Sequence, residues 1–197
     1  MLGSDMAELS ERVRQSIAHQ EQYLTHYSQI LRQAGVSLAA ALARGNKLIT
    51  FGCPPVAQHL VAEFTGRFTT HRPGLAAVCL CDNPSAITAI ANDYGREAVY
   101  PRQIQALSQS GDFVLAFTAG GDPAARAGID EAHKLGLETL VLEVPGADEN
   151  TALETSLTAG HLLCEQVEFE LRRIRPEWFD QRSVVHPILS PSLPASR

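Results

Sequence analysis

From Ala7 to Ala43 apolar residues recur at spacings near three and four, through Val13, Ile17, Leu24, Tyr27, Ile30, Leu31, Val36, Leu38 and Leu42. That period predicts amphipathic helix, and the glycine at position 35 divides it into two long N-terminal helices. Four short apolar runs follow: Lys47 to Phe51, Ala76 to Leu80, Phe113 to Thr118 and Leu137 to Val144. Each is too short for a typical helix and is flanked by Gly, Pro, Asp or Asn, as buried strands are. Helical patterns separate them over Val56 to Phe68, Ser85 to Asn92, Ala98 to Gln109 and Pro123 to Leu135, and a last helix runs from about Thr151 to Arg173, ending at Pro176. Strands alternating with helices predict an α/β fold: a central parallel sheet in a three-layer α-β-α sandwich. The expected organisation is a single domain over residues 7–173, with its N-terminal helical region at 7–43, and a Pro/Ser-rich tail over 174–197. Trp178 and Phe179 are the expected anchors of that tail, which can dock on a neighbour.

Composition narrows the function classes. A chain of 197 residues that is 45% hydrophobic can bury one substantial core. Its formal charge of -6 and the lack of any Lys/Arg cluster leave no electrostatic footprint for a nucleic acid or an anionic membrane. No apolar run reaches the roughly 18 residues that span a bilayer, and the N-terminus lacks the apolar core of a signal peptide. A soluble, cytoplasmic protein is expected. Met1 to Asp5 read like a cloning scar ahead of a second start at Met6 and are left out of the fold reasoning. Cys53, Cys79, Cys81 and Cys164 contain no CxxC pair, so they read as core thiols rather than a disulfide framework. Cys79 and Cys81, two apart in a strand, should face one side.

Candidate chemistry starts with His59 and Glu63, four apart on one predicted helix and so on one face. His161 and Glu165 repeat the spacing. An imidazole and a carboxylate held together can move a proton between carbons, as aldose to ketose conversion through an enediol requires. They can also ligate zinc. Taken alone, the pattern is more often a surface or structural pair.

Several segments sharpen this reading: GNKLITFG, QHLVAEFTGRF, RPGL, AITAIANDYGREAVYPRQIQAL, GDFVLAF and HLLCEQVE, spread over most of the chain. They resemble the phosphoheptose isomerases of the sugar isomerase (SIS) superfamily. TAIANDYG followed by RQIQAL and GD also resembles the related proteins that associate with the replication initiator. The resemblance implies a flavodoxin-like SIS domain and a homotetramer with active sites at subunit interfaces. It further implies acid/base roles for Glu63 and His161, and metal ligation, as zinc, by His59, Glu63 and His161. Ligand contacts are implied at Thr118, Gly120, Gly121, Asn83 and Asp93, for a sugar or sugar phosphate. The family's QExH motif is altered here, with Leu153 before Glu154 and Ser156 after it, so one metal-associated residue is missing.

Two loops depart from the family. Its glycine-rich GNGGS segment corresponds here to GCPPVAQH, two residues shorter, in which Pro54 and Pro55 remove backbone donors. Its STSGNS segment corresponds to TAGGDP, where Asp122 before Pro123 has the arrangement of a helix cap and sets a carboxylate where a phosphate would bind. After the strand at 76–80, Asn83 stands where the family commonly has Asp. The leading expectation is therefore a diverged, non-catalytic or altered-ligand protein that binds carbohydrate derivatives as a regulatory oligomer, with a protein partner in view. The alternative is a sedoheptulose 7-phosphate isomerase-type enzyme using Glu63 and His161, with zinc and an altered, unphosphorylated substrate. A third expectation is a structural subunit assembling with an active paralogue.

Overall fold

A computed structural model describes residues 2–118 and 121–179, with side chains from residue 8. Four parallel strands, β1 (Leu48–Phe51), β2 (Ala77–Cys79), β3 (Phe113–Thr118) and β4 (Glu138–Glu143), pair in the order β2-β1-β3-β4. Register runs Leu48 to Ala77 and Leu48 to Phe113 across the middle, and Phe113 to Glu138 at the β4 side. Six helices cover the sheet: α1 (Leu2–Ala43), α2 (Pro54–Thr65), α3 (Pro84–Tyr94), α4 (Val99–Leu107), α5 (Pro123–Lys134) and α6 (Glu149–Ile174).

The two-residue period of the strands divides the core. Leu48 of β1 and Phe113, Leu115 and Phe117 of β3 pack with α1, α2 and α6. Ile49 and Phe51, with Val114 and Ala116, pack with α4 and α5. Both faces of the sheet are thus dry, which is why its strands read as continuous apolar runs rather than alternating ones. The three-layer α/β sandwich expected from the sequence is the observed fold.

One expectation is overturned at Gly35. α1 runs unbroken from Leu2 to Ala43 instead of forming two helices. The glycine is there for contact, because a Cβ at this position would lie 2.4 Å from Cγ of Gln166 on α6. A glycine inside a helix costs roughly 1 kcal/mol relative to alanine, and close packing of α1 on α6 offsets it.

The cysteines are all free, with Cys79 and Cys164 buried and Cys53 and Cys81 half-buried. Burial pushes the Cys164 thiol up to about 12. Cys81 is not in the strand, which ends at Cys79; it lies in the turn after it. A hydrogen bond with Cys79 and another with the Tyr100 hydroxyl hold the Cys81 thiol below its usual range. Trp178 and Phe179 pack against the chain's own core beside α6 rather than serving only as an outward anchor, with Arg175 over the Trp178 ring and Arg172 over Phe179. Residues 180–197 of the expected tail lie outside the described residues.

Asp112, fully buried at the start of β3, ties the sheet's lower edge together. It accepts from the Lys47 amide and ammonium and from the Gln109 amide. Burial works against its ionised form, yet those three donors outweigh burial and hold the carboxyl below the ordinary aspartate value. A folded value below the unfolded one means that its contribution is complete above roughly pH 4 and is lost as pH falls through the folded value. Asp112→Asn should therefore give a shallower loss of stability on acidification than wild type, read by urea unfolding at a series of acidic pH values. Parallel acid limbs in the two proteins would remove Asp112 as the source.

Candidate active site

α2 begins immediately after the β1 turn, where Pro54 and Pro55 occupy its first positions and need no amide partners. Its buried stripe of Val56, Ala57, Leu60 and Phe64 faces the core. Val56, Leu60 and Phe64 lie at four-residue steps, so His59 and Glu63, one residue behind on the helix, are set on the flank that meets α6. α6 carries Ala159, Gly160, Leu163, Cys164 and Val167 inward and puts His161 at the α2 flank. Gly160 permits the approach, since a Cβ there would lie 2.6 Å from Cδ1 of Leu60.

The result is a three-residue cluster from two helices. Nε2 of His59 lies 2.9 Å from Nε2 of His161 and 3.4 Å from Oε1 of Glu63. One donor atom from each of His59, Glu63 and His161 falls within 4.8 Å of the others. Two imidazole nitrogens at that distance can share a proton, one donating and one accepting according to their tautomers. A donor set of two imidazoles and one carboxylate is also one that zinc accepts, so the residues fit a divalent metal ion. Leu153 and Ser156 offer no comparable fourth ligand: Leu153 is apolar, Ser156 is buried, and Glu154 accepts from Ser16 of α1. Of the two i, i+4 pairs read from the sequence, only His59 with Glu63 brings its imidazole and carboxylate together among the described residues; His161 turns to His59 instead of Glu165.

The segment between α2 and β2 covers this cluster. Phe68 lies against the His161 ring with centroids 5.4 Å apart. Thr69 and Thr70 donate to Oε2 of Glu168, and Arg72 Nε donates to its Oε1 at 3.0 Å. Arg72 also donates to the carbonyls of Glu63 and Phe64. Both side chains of the ion pair are nearly fully buried, at 2% and 4% exposure. Burial opposes ionisation of Glu168, but the two hydroxyls and the guanidinium overcome it and hold the carboxyl low. Sequence reasoning passed over Phe68, Arg72 and Glu168. Arg72 lies in RPGL and Glu168 in HLLCEQVE, but 96 residues separate them and no local period joins them.

The other expected site residues sit around the carboxyl ends of the strands, where open α/β sheets place ligands. Gly52, with φ +106, turns the chain out of β1 and lies against the Phe117 carbonyl. Cys53 caps α2 by its backbone without a side-chain bond. Thr118 ends β3, and its buried Oγ1 has no hydrogen-bond partner among the described residues. Gly120 lies outside the described residues, and Gly121 adopts φ +89 in open space. Asp122 caps α5, accepting from the Ala124 amide at 3.1 Å. Asn83 caps α3 by accepting from the Ala86 amide, and Asp93 lies exposed in the last turn of α3. No side-chain contact joins Asn83 or Asp93 to the His59, Glu63 and His161 cluster among the described residues. No described helix is long and apolar enough to cross a membrane.

Comparison with known proteins places this geometry in context. The sequence model described as "SIS domain" matches residues 13–143. The chain is 33% identical over 183 residues to the phosphoheptose isomerase of Desulfovibrio desulfuricans, covering 83% of this chain and 87% of that protein. It is 36% identical over 160 residues to the phosphoheptose isomerase of Aquifex aeolicus, covering 71% and 83%. Among solved structures, a phosphoheptose isomerase from Francisella tularensis superposes with a TM-score of 0.77 at 22% identity, over 84% of this chain and 98% of that one, and so bears on the fold alone. That from Neisseria gonorrhoeae gives a TM-score of 0.66 at 25% identity, over 82% and 99%. With its parallel sheet, its matching domain and relatives of these names along most of their length, the chain belongs to the SIS domain family, among the phosphoheptose isomerase-like proteins.

Proposed function

We propose that this protein is an intramolecular aldose-ketose isomerase acting on a sugar or sugar phosphate, with Glu63 as base and His161 as acid. The observation that carries the reading is the convergence of His59, Glu63 and His161 from two helices onto one point. Relatives named phosphoheptose isomerases favour it over the non-catalytic reading.

The chemistry balances within these residues. Glu63 takes the proton from the carbon beside the ketose carbonyl, and His161 protonates the carbonyl oxygen, giving an enediol. His161 then recovers a proton from the neighbouring hydroxyl while Glu63 returns its own proton to the adjacent carbon, and the aldose results. General acid and base action of this kind contributes typically ~10²–10⁴-fold. Zinc held by His59, Glu63 and His161 would polarise a substrate oxygen. Nε2 of His161 can hold a proton or a metal ion but not both, so its acid and ligand roles compete at that atom. Thr118, ending β3, can donate its hydroxyl to a ligand oxygen.

Two geometric facts favour a second reading, a non-catalytic oligomeric module for a carbohydrate derivative or a protein partner. Prolines at the first two positions of α2 leave few first-turn amides for an anion. Asp122 already accepts the Ala124 amide at the start of α5 and brings negative charge to a helix N-terminus that would otherwise attract phosphate. A cytoplasmic homotetramer belongs to either reading. The exposed side chains of Leu9, Val13 and Ile17, at four-residue steps along α1, supply an apolar stripe for a second copy.

The deciding experiment measures isomerisation of sedoheptulose 7-phosphate and of unphosphorylated sedoheptulose by the purified chain, with and without added zinc. Turnover of either that disappears in His161→Ala is the expected result. No turnover of either, in a protein that takes up no zinc, would leave the non-catalytic module.

A further inference from the structure

The strap between α2 and β2 meets the cluster's side chains at Phe68, against the His161 ring, and otherwise bears on it through the backbone of Glu63. Arg72 joins three things through one guanidinium: the carbonyls of Glu63 and Phe64 in the last turn of α2, the carbonyl of Pro73, and the carboxylate of Glu168 on α6. The last carbonyls of a helix lack intrahelical partners, and a cation there satisfies them and suits the helix dipole. Glu168 lies seven residues after His161, two turns along the same side of α6. Its second oxygen accepts from Thr69 and Thr70, so both oxygens are engaged and the carboxylate is fixed in direction. The end of α2 and a point two turns beyond His161 on α6 are thus tied to the same buried ion pair.

We infer that Arg72 and Glu168 are positioning residues for this centre: the buried pair sets how far α2 stands from α6 and thereby pre-assembles His59 and Glu63 opposite His161. This rests on the cluster being the functional centre, as proposed above. Supporting groups behind metal ligands commonly alter metal affinity ~10–100-fold when removed, and a spacing device should act on that scale. Its action is on geometry, because Arg72 meets only the backbone of Glu63.

Zinc titration and crystallography of Arg72→Lys and Glu168→Gln, beside wild type and His161→Ala, test the inference. Lysine keeps the charge but cannot reach Glu168 and two helix carbonyls in one plane. Expected is a ~10–100-fold weaker zinc dissociation constant in both variants, in protein that remains folded by circular dichroism. A role in stability alone would lower the melting temperature and leave zinc affinity of the folded protein unchanged, and that result overturns the inference. Crystal structures of metal-free wild type and Glu168→Gln give the reading that does not depend on zinc. The Nε2 separation between His59 and His161 should widen beyond hydrogen-bond reach in the variant; equal separations overturn the inference. If wild type and His161→Ala bind zinc equally weakly, the metal-site reading fails while the crystallographic comparison still judges the spacing role. Should Arg72→Lys fail to fold, Glu168→Gln, which keeps side-chain volume, carries both measurements.

Discussion

Glu63→Gln should lower turnover on whichever heptose is the substrate by ~10²–10⁴-fold, the range that a positioned acid or base supplies. Glutamine keeps the volume and the hydrogen-bonding oxygen but cannot take a carbon-bound proton at neutral pH. The Glu63 side chain is 22% exposed and its carboxylate meets the His59 imidazole at 3.4 Å, so little of the fold depends on its charge. Surface pairs of this kind contribute about 0–1 kcal/mol, and the melting temperature should shift by no more than a few degrees. The contact that does anchor this part of α2 is from Arg72 to the backbone carbonyl of Glu63, and the substitution spares it. Activity and stability therefore separate in one variant. Steady-state kinetics beside a thermal melt read the two effects together. A variant with wild-type kcat would remove Glu63 as the base, and one that unfolds would reassign it to structure.

Gly52→Ala carries the largest expected effect on stability. At φ +106 a side chain is strained before any contact is considered. Contact makes it worse, because the new Cβ would lie 1.8 Å from the Phe117 carbonyl oxygen and 2.7 Å from its carbon. Those are backbone atoms of β3, paired with β4 at this position and unable to swing away as a side chain can. Phe51 pairs with Ala116 in the register, so the clash falls one step beyond the last pair, where β1 and β3 release their loops. Relief requires β1 and β3 to part at their carboxyl ends. A penalty of about 4 kcal/mol or more belongs to the small class of severe substitutions, and it is a large fraction of a domain's total stability. Urea unfolding checks it. A loss below about 1 kcal/mol would mean that the turn can rebuild around the methyl group.

The strands and helices were legible because the information that specifies them is local. Phe113 to Thr118 reads as a strand from its composition and flanks, and it is β3 to the residue. Asp122 followed by Pro123 reads as the start of a helix, and it caps α5. Gly35 failed for an instructive reason. A glycine in a helical period marks either an end or a contact, and what decides between them is Gln166, distant in sequence and supplied by α6. The same limit applies to the centre. His59, Glu63 and His161 could each be picked out by helical spacing and family resemblance, but spacing offered His161 with Glu165 as readily as His59 with Glu63. Only the crossing of α2 and α6 brings His59 and His161 together, over 102 residues of chain. Arg72 and Glu168 had no local signature, since a buried ion pair is visible only once both of its surroundings exist. Cys81 shows the converse, where one residue beyond the expected strand end a turn replaces extended backbone.

The unbroken α1 has a thermodynamic consequence. Forty-two helical residues extend about 63 Å at 1.5 Å each, roughly twice the width of a small domain. Toward its start α1 meets α6 through polar contacts, Ser16 donating to Glu154, while Leu9, Val13 and Ile17 each remain 59% exposed. Helical turns that lack packing against an apolar face are marginal in water. If a second copy supplies that packing, the order of these turns becomes a function of how many chains share the solution, so dilution alone would loosen the first turns of α1 while the sheet stays intact.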